Sequence, residues 1–202
     1  MLAEQSRLRG FTIEGHRFSA PELAGGLHVV ATPIGNLGDI TIRALQTLSA
    51  ADVIYCEDTR VSSRLLARYE INTTLKPYHD HNAAKQRPLI LAALRDGAAV
   101  ALISDAGTPL VSDPGYKLVS ECREAGIAVD AVPGASAALA ALALAGLPSD
   151  QFRFCGFASV KAGARKALLE DIAGAGVTAI VYESPRRLVA LLKDIAAVMP
   201  AS

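Results

Sequence analysis

The stretch Ala31-Thr32-Pro33-Ile34-Gly35-Asn36-Leu37-Gly38-Asp39-Ile40-Thr41 decides the fold. An apolar, strand-like run over residues 27–31 leads into it and a helix-like run over residues 41–48 leads out. A Pro, two Gly and an Asn between strand and helix make a turn whose backbone can lie against a ligand without Cβ interference. Open α/β sheets place their binding crevice at such a position, outside the carboxyl ends of the strands. The turn has neither the Gly-x-Gly-x-x-Gly spacing of a dinucleotide fold nor the Gly-Lys-Ser/Thr of a phosphate loop. The ligand expected here is therefore not held by its pyrophosphate.

Working outward, the same alternation repeats. Strand-like runs fall at residues 27–31, 52–56, 75–78, 98–103 and 127–132, and helix-like runs at 41–48, 59–69, 84–95, 116–125 and 135–145. Strict alternation predicts a largely parallel sheet covered by helices on both faces. The strands are continuous Val, Ile, Ala and Leu, as expected where both faces are buried. After the stop Gly146-Leu147-Pro148-Ser149-Asp150, strands are predicted at residues 152–157 and 178–182, with helices at 164–173 and 185–198. The reading is an irregular arm over residues 1–26 with no fold role, in which Phe11–Ile13 can pair as a short strand, then an α/β domain over 27–115 and a second α/β domain over 116–202, its boundary lying between 115 and 150. Two strands are thin for an independent sheet, so the second domain is expected to be incomplete and the chain a fragment.

The totals narrow the function classes. Lys and Arg number 20 and Asp and Glu number 20, so the formal net charge is zero. A free nucleic-acid binder usually shows a basic footprint, so an RNA substrate would have to be met through a local basic patch. The apolar run near Ala137–Ala145 is too short to span a bilayer, which leaves no membrane role. The first 26 residues hold no apolar core of the signal-peptide kind, so a cytoplasmic location is the default. Three widely spaced cysteines, Cys56, Cys122 and Cys155, fit free thiols better than a disulfide framework or a zinc site.

Three more strand-end loops carry candidate chemistry. Cys56-Glu57-Asp58-Thr59-Arg60 ends a strand in two acids; Asp58 suits a helix N-cap, which leaves Glu57 the freer carboxylate. Residues 104–115, Ser-Asp-Ala-Gly-Thr-Pro-Leu-Val-Ser-Asp-Pro-Gly, far exceed the roughly two to six residues that such a connection needs, and long ordered loops are usually functional. Val132-Pro133-Gly134-Ala135-Ser136-Ala137 puts a Gly where backbone can come close and Ser136 at the head of a helix, where it also suits an N-cap. His79 and His81 flank Asp80 with no further metal-ligand pattern. Arg60, Arg64 and Arg68 recur at every fourth position, a solvated helix face or a set of phosphate contacts. Late in the chain, Glu183-Ser184-Pro185-Arg186-Arg187 gathers a carboxylate and two guanidiniums where a strand becomes a helix.

Together these loops, with His81-Asn82 and Tyr182–Arg187, resemble the small-subunit ribosomal RNA cytidine 2′-O-methyltransferases of the tetrapyrrole methylase superfamily. The resemblance runs from about Leu27 to the C-terminus. It implies two α/β domains of the tetrapyrrole-methylase kind with a cofactor cleft between them, a homodimer, and S-adenosylmethionine as cofactor. The substrate it implies is a cytidine ribose of 16S rRNA within the small ribosomal subunit. Carried over by motif, the cofactor-binding residues are Pro33, Ile34, Gly35 and Asn36, then Asp105, Gly107, Thr108, Pro109 and Val111, then Ser136 and Ala137. Glu57 or Asp105 is the candidate general base, and Arg60, Arg186 and Arg187 are candidate phosphate contacts. Where family members have Pro-Arg-Lys after Gly-Phe-Leu, this chain has Ala158-Ser159-Val160-Lys161 after Gly156-Phe157. The alternatives are a tetrapyrrole or diphthamide-precursor methyltransferase and a non-catalytic module on the same scaffold.

Overall fold

A computed structural model describes residues 9–199, which form two compact units meeting between Ser136 and Ala137. The first opens on a hairpin, β1 (Gly10–Ile13) and β2 (His16–Ser19), followed by five parallel strands: β3 (Gly26–Val30), β4 (Val53–Cys56), β5 (Leu75–Pro77), β6 (Ala99–Leu102) and β7 (Val129–Val132). Their spatial order is β5-β4-β6-β3-β7. Helices α1 (Ile42–Ala50), α2 (Thr59–Arg68), α3 (Ala83–Arg95) and α4 (Tyr116–Glu124) connect them.

The continuous apolar strands are explained by two cores, one on each face of the sheet. On one face Val30, Ile54 and Ala101 pack with Ala44, Leu45 and Leu48 of α1 and Leu66 of α2. On the other, Leu27, Val100 and Leu102 pack with Ile90, Leu91 and Leu94 of α3 and Leu118 and Cys122 of α4. Successive strand residues thus serve opposite cores, as the period of two requires. Helices α1 and α2 begin where the sequence supplies caps: Thr41 Oγ1 accepts from the Ala44 amide at 3.1 Å, and Asp58 Oδ1 accepts from the Arg60 amide at 2.8 Å.

Two expectations differ from the structure. The N-terminal arm is a hairpin over residues 10–19 and irregular only at residue 9 and over 20–25 among its described residues. Glu14 and Gly15 take positive φ (49° and 81°), the geometry of a tight hairpin turn, and Phe11 stacks on Phe18 at 5.4 Å. Phe11 is 2% exposed and belongs to the α1–α2 core, while the Thr12 amide donates to Tyr69 O at 2.8 Å. The division between Ser136 and Ala137 falls within the expected 115–150 window, but later than the bound of 115 given to the first domain. Residues 129–132 pair with 27–30 of β3, and α4 buries Leu118 and Cys122 in the first unit's core.

The second unit holds α5 (Ala137–Ala145), β8 (Phe152–Phe157), α6 (Ala162–Ala175), β9 (Thr178–Tyr182) and α7 (Leu188–Val198). Strands β8 and β9 pair in parallel, with a shift between Phe154 and Phe157. Ala138 and Leu142 of α5 pack with Ile180, Phe154 and Tyr182. Leu169 of α6 and Leu191 of α7 pack with Ala158 and Val181. Among the described residues, no helix is long and apolar enough to cross a membrane.

Candidate functional site

Strand order fixes where a site can form. From β4 the chain moves outward to β5, whereas from the adjacent β6 it moves the other way to β7. The loops after β4 and β6 therefore diverge and leave a crevice at the carboxyl edge. Across it the Asp58 amide donates to Asp105 Oδ1 at 3.0 Å, so the second and third loops are joined by an oriented carboxylate.

The first loop is tied to the third by backbone. Thr32 and Gly107 form an isolated antiparallel bridge, and Thr32 Oγ1 donates to Ser104 O at 3.2 Å. Gly107 has φ +82°, and a Cβ there would lie 3.5 Å from the Ile34 side chain and 3.9 Å from Ala135 O. First, third and fourth loops thus meet around one glycine. Gly134 is close-packed as well, since a Cβ on it would meet Ala31 Cβ at 3.0 Å. Asn36 Oδ1 accepts from the Gly38 amide at 3.0 Å and starts a 3-10 turn at Leu37–Asp39. Pro33 is buried, Ile34 half-buried, and Gly35 and Asn36 exposed.

The third loop turns twice through left-handed backbone at non-glycine residues, Leu110 (φ 74°) and Ser112 (φ 66°). Such conformations are costly and cluster at ligand-binding segments. Pro109 is buried, Thr108 half-buried, and Asp105 and Val111 exposed. Ser136 is half-buried and ends the first unit; Ala137 is exposed and begins the second.

Beside the second loop lies an open hollow of about 470 Å³ lined by Glu57, Asp58, Arg60, His79, His81 and Asp105 among others. Burial pushes the Glu57 carboxyl up, and the charges of Asp105, Asp113 and Asp80 push it the same way, with His79 opposing. Burial and Asp105 likewise raise Asp113, against a hydrogen bond with Ser104. Asp58 behaves oppositely: hydrogen bonds from Arg60 pull it down to about 2. Asp113 and His79, neither of them a candidate site residue by sequence, both act on Glu57. The signal for Asp113 was its place in the overlong loop, and for His79 its position just past β5. Asn82 fixes the latter turn, accepting from the His79 amide at 2.9 Å and donating to Pro77 O at 3.0 Å.

The arginines differ in their freedom. Arg60 is exposed but clasped to Asp58 at 2.6 Å. Arg187 pairs at 2.5 Å with Glu183, whose side chain is 4% exposed, and also donates to Ala158 O. It serves the second unit's own packing, whereas Arg186 is exposed.

The family model for Tetrapyrrole (Corrin/Porphyrin) Methylases matches residues 26–202. The chain belongs to the tetrapyrrole methylase family. Among its relatives, a protein from Mesorhizobium japonicum named "Ribosomal RNA small subunit methyltransferase I" is 57% identical over 169 residues, covering 84% of this chain and 58% of that protein. A protein of the same name from Escherichia coli O157:H7 is 50% identical, covering 91% and 64%. The chain thus spans about three-fifths of the length of these family members. Of solved family structures, cobalt precorrin-4 methyltransferase aligns over 85% of this chain and 74% of its own, with TM-score 0.63 and 20% identity. Uroporphyrin-III C-methyl transferase from Thermus thermophilus, complexed with S-adenyl homocysteine, aligns over 88% and 78%, with TM-score 0.59 and 23% identity. These two likenesses establish the shared fold.

Proposed function

We propose that the protein transfers a methyl group from S-adenosylmethionine to the 2′-hydroxyl of a cytidine ribose in 16S rRNA of the small ribosomal subunit. It acts in the cytoplasm as a homodimer. The observation that carries this is the meeting of three backbone-rich loops around Gly107, beside a hollow edged by Glu57 and Asp105. Relatives at 50% and 57% identity named as small-subunit rRNA methyltransferases support rRNA as the substrate class.

The residues fit the cofactor. Gly35 has open space over its Cα, and Leu110 and Ser112 are held in left-handed turns, so Pro33–Asn36, Asp105–Val111 and Ser136-Ala137 can meet a ligand with peptide groups. Glu57, Asp105 and Asp113 make a negative field that suits a sulfonium cation. When bound, S-adenosylmethionine supplies a methyl group on a sulfonium that leaves as a neutral thioether.

Glu57 takes the proton of the attacking hydroxyl. A carboxylate pushed above its ordinary range is a stronger base, closer to the working pH that favours general-base catalysis. Asp105, held by the Asp58 amide, orients the hydroxyl or shares its proton. Much of the barrier reduction in an in-line transfer comes from alignment, up to about 7–11 kcal/mol. Arg60 and Arg186 hold substrate phosphates. Incubating the protein with labelled S-adenosylmethionine and small ribosomal subunits tests this. Label is expected in 16S rRNA; label only in a tetrapyrrole or an elongation-factor substrate, or in nothing, overturns the assignment.

A further inference from the structure

Helix α2 leaves the acidic hollow carrying three arginines and no acid over Thr59–Arg68. In a chain of zero net charge, this is a concentrated positive face. Ser62 and Leu66 are its buried positions, so Arg60, Arg64 and Arg68 lie on the opposite, solvent side, and all three are exposed. The nearby acids are already engaged: Asp58 with Arg60, and Glu70 with Arg17 and Thr12. Arg64 forms no ion pair among the described residues, and Arg68 lies over the Tyr69 ring at 5.9 Å.

We infer that the Arg60-Arg64-Arg68 face of α2 is a docking track for the phosphates of a single-stranded RNA whose target ribose enters the neighbouring hollow. This rests on the proposed rRNA activity. Charge complementarity selects the occupant. Glu57 and Asp105, which line the hollow, repel phosphate, so a polyanion offers the hollow its uncharged sugar and base and must carry its phosphates elsewhere. The nearest place is the helix that starts there. Four-residue steps on an α-helix advance about 6 Å, so the three guanidiniums cover a length of about 12 Å, a row of charges suited to successive phosphates. Guanidinium forks bind phosphate oxygens bidentately without reading base identity. The track then sets register and affinity, leaving sequence choice to the hollow.

The test is RNA binding by the protein across a salt series, with a single-stranded RNA oligonucleotide as probe and R64A/R68A, R64K and R95A as variants. Arg95, exposed in the last turn of α3, controls for a general loss of charge. Removing two contacts is expected to flatten the slope of log affinity against log salt by about 1.4. R64K should keep the wild-type slope and R95A should change nothing. In methyl transfer to small subunits, KM should rise several-fold for R64A/R68A with kcat unchanged, the pattern of lost uniform binding. An unchanged slope in R64A/R68A, or an equal loss in R95A, overturns the track. Methyl transfer by the unmodified protein reports separately on the rRNA activity. Absent transfer alongside an Arg64-dependent slope would remove that activity and leave the track standing.

Discussion

Thr32 and Gly107 exchange both backbone hydrogen bonds of a single bridge, at 2.9 and 3.1 Å, and so lock the first strand-end loop onto the third. The lock depends on φ +82° at Gly107, where a Cβ would make only ordinary contact with Ile34 at 3.5 Å. Substitution therefore acts through the backbone, not through a clash. Gly107→Ala is expected to cost about 1–2 kcal/mol, read by denaturant unfolding. Calorimetric affinity for S-adenosylmethionine should fall with it, because the loops proposed to hold the cofactor share this bridge.

Glu57 and Asp105 divide the proposed base function unequally. Glu57→Gln should lower kcat for methyl transfer by roughly 10²–10⁴, with cofactor affinity little changed. Asp105→Asn keeps an oxygen able to accept the Asp58 amide, so the loops should stay joined and the loss should be smaller. Wild-type rates in both variants would remove the base assignment.

As the proposed base Glu57 has to be ionised, and burial together with Asp105 and Asp113 holds its pKa up. The acid limb of the kcat profile should therefore lie above the ordinary carboxylate range. Asp113→Asn removes one of the raising charges and should move that limb to lower pH. The same variant has a stability signature. Asp113 is itself raised in the folded state, so the folded protein binds more protons than the unfolded. Stability is then lost as pH climbs from the ordinary aspartate range through the raised value. Asp113→Asn should accordingly raise Tm more at neutral pH than at acid pH.

The hairpin is part of the core. Phe11→Ala should cost about 3–5 kcal/mol in chemical unfolding, as for other buried aromatics. Phe18→Ala should cost clearly less, since Phe18 is 46% exposed.

In the second unit, Arg187→Ala leaves the buried Glu183 carboxylate without its cation and should lower Tm markedly. Arg186→Ala should leave Tm unchanged and raise the KM for the RNA substrate.

Local pattern revealed the alternating elements because a parallel sheet buried on both faces writes apolar runs into β3, β4 and β6. Long-range choices left weaker traces. Nothing local says that residues 129–132 join β3, because that pairing rests on register with a strand about a hundred residues earlier. In the hairpin, Phe11–Ile13 shows locally as a short strand, but its exposed, polar partner His16–Ser19 does not, and its hold on the fold comes from Phe11 reaching the α1–α2 core. At the site, glycine and proline mark the first, third and fourth loops, and two adjacent acids mark the second. The influence of Asp113 and His79 on Glu57 arises only once the strand order brings their loops together. The commitment of Arg187 to Glu183 depends likewise on the depth at which Glu183 is buried.

The most direct measurement is the chemical identity of the modified nucleoside. After reaction with small ribosomal subunits, 16S rRNA is digested to nucleosides and resolved by mass spectrometry. A new 2′-O-methylcytidine, present with the wild type and lost with Glu57→Gln, is the expected result. Methyl groups found on a base, or no methylated nucleoside at all, would contradict a site that directs the cofactor's carbon to a sugar oxygen.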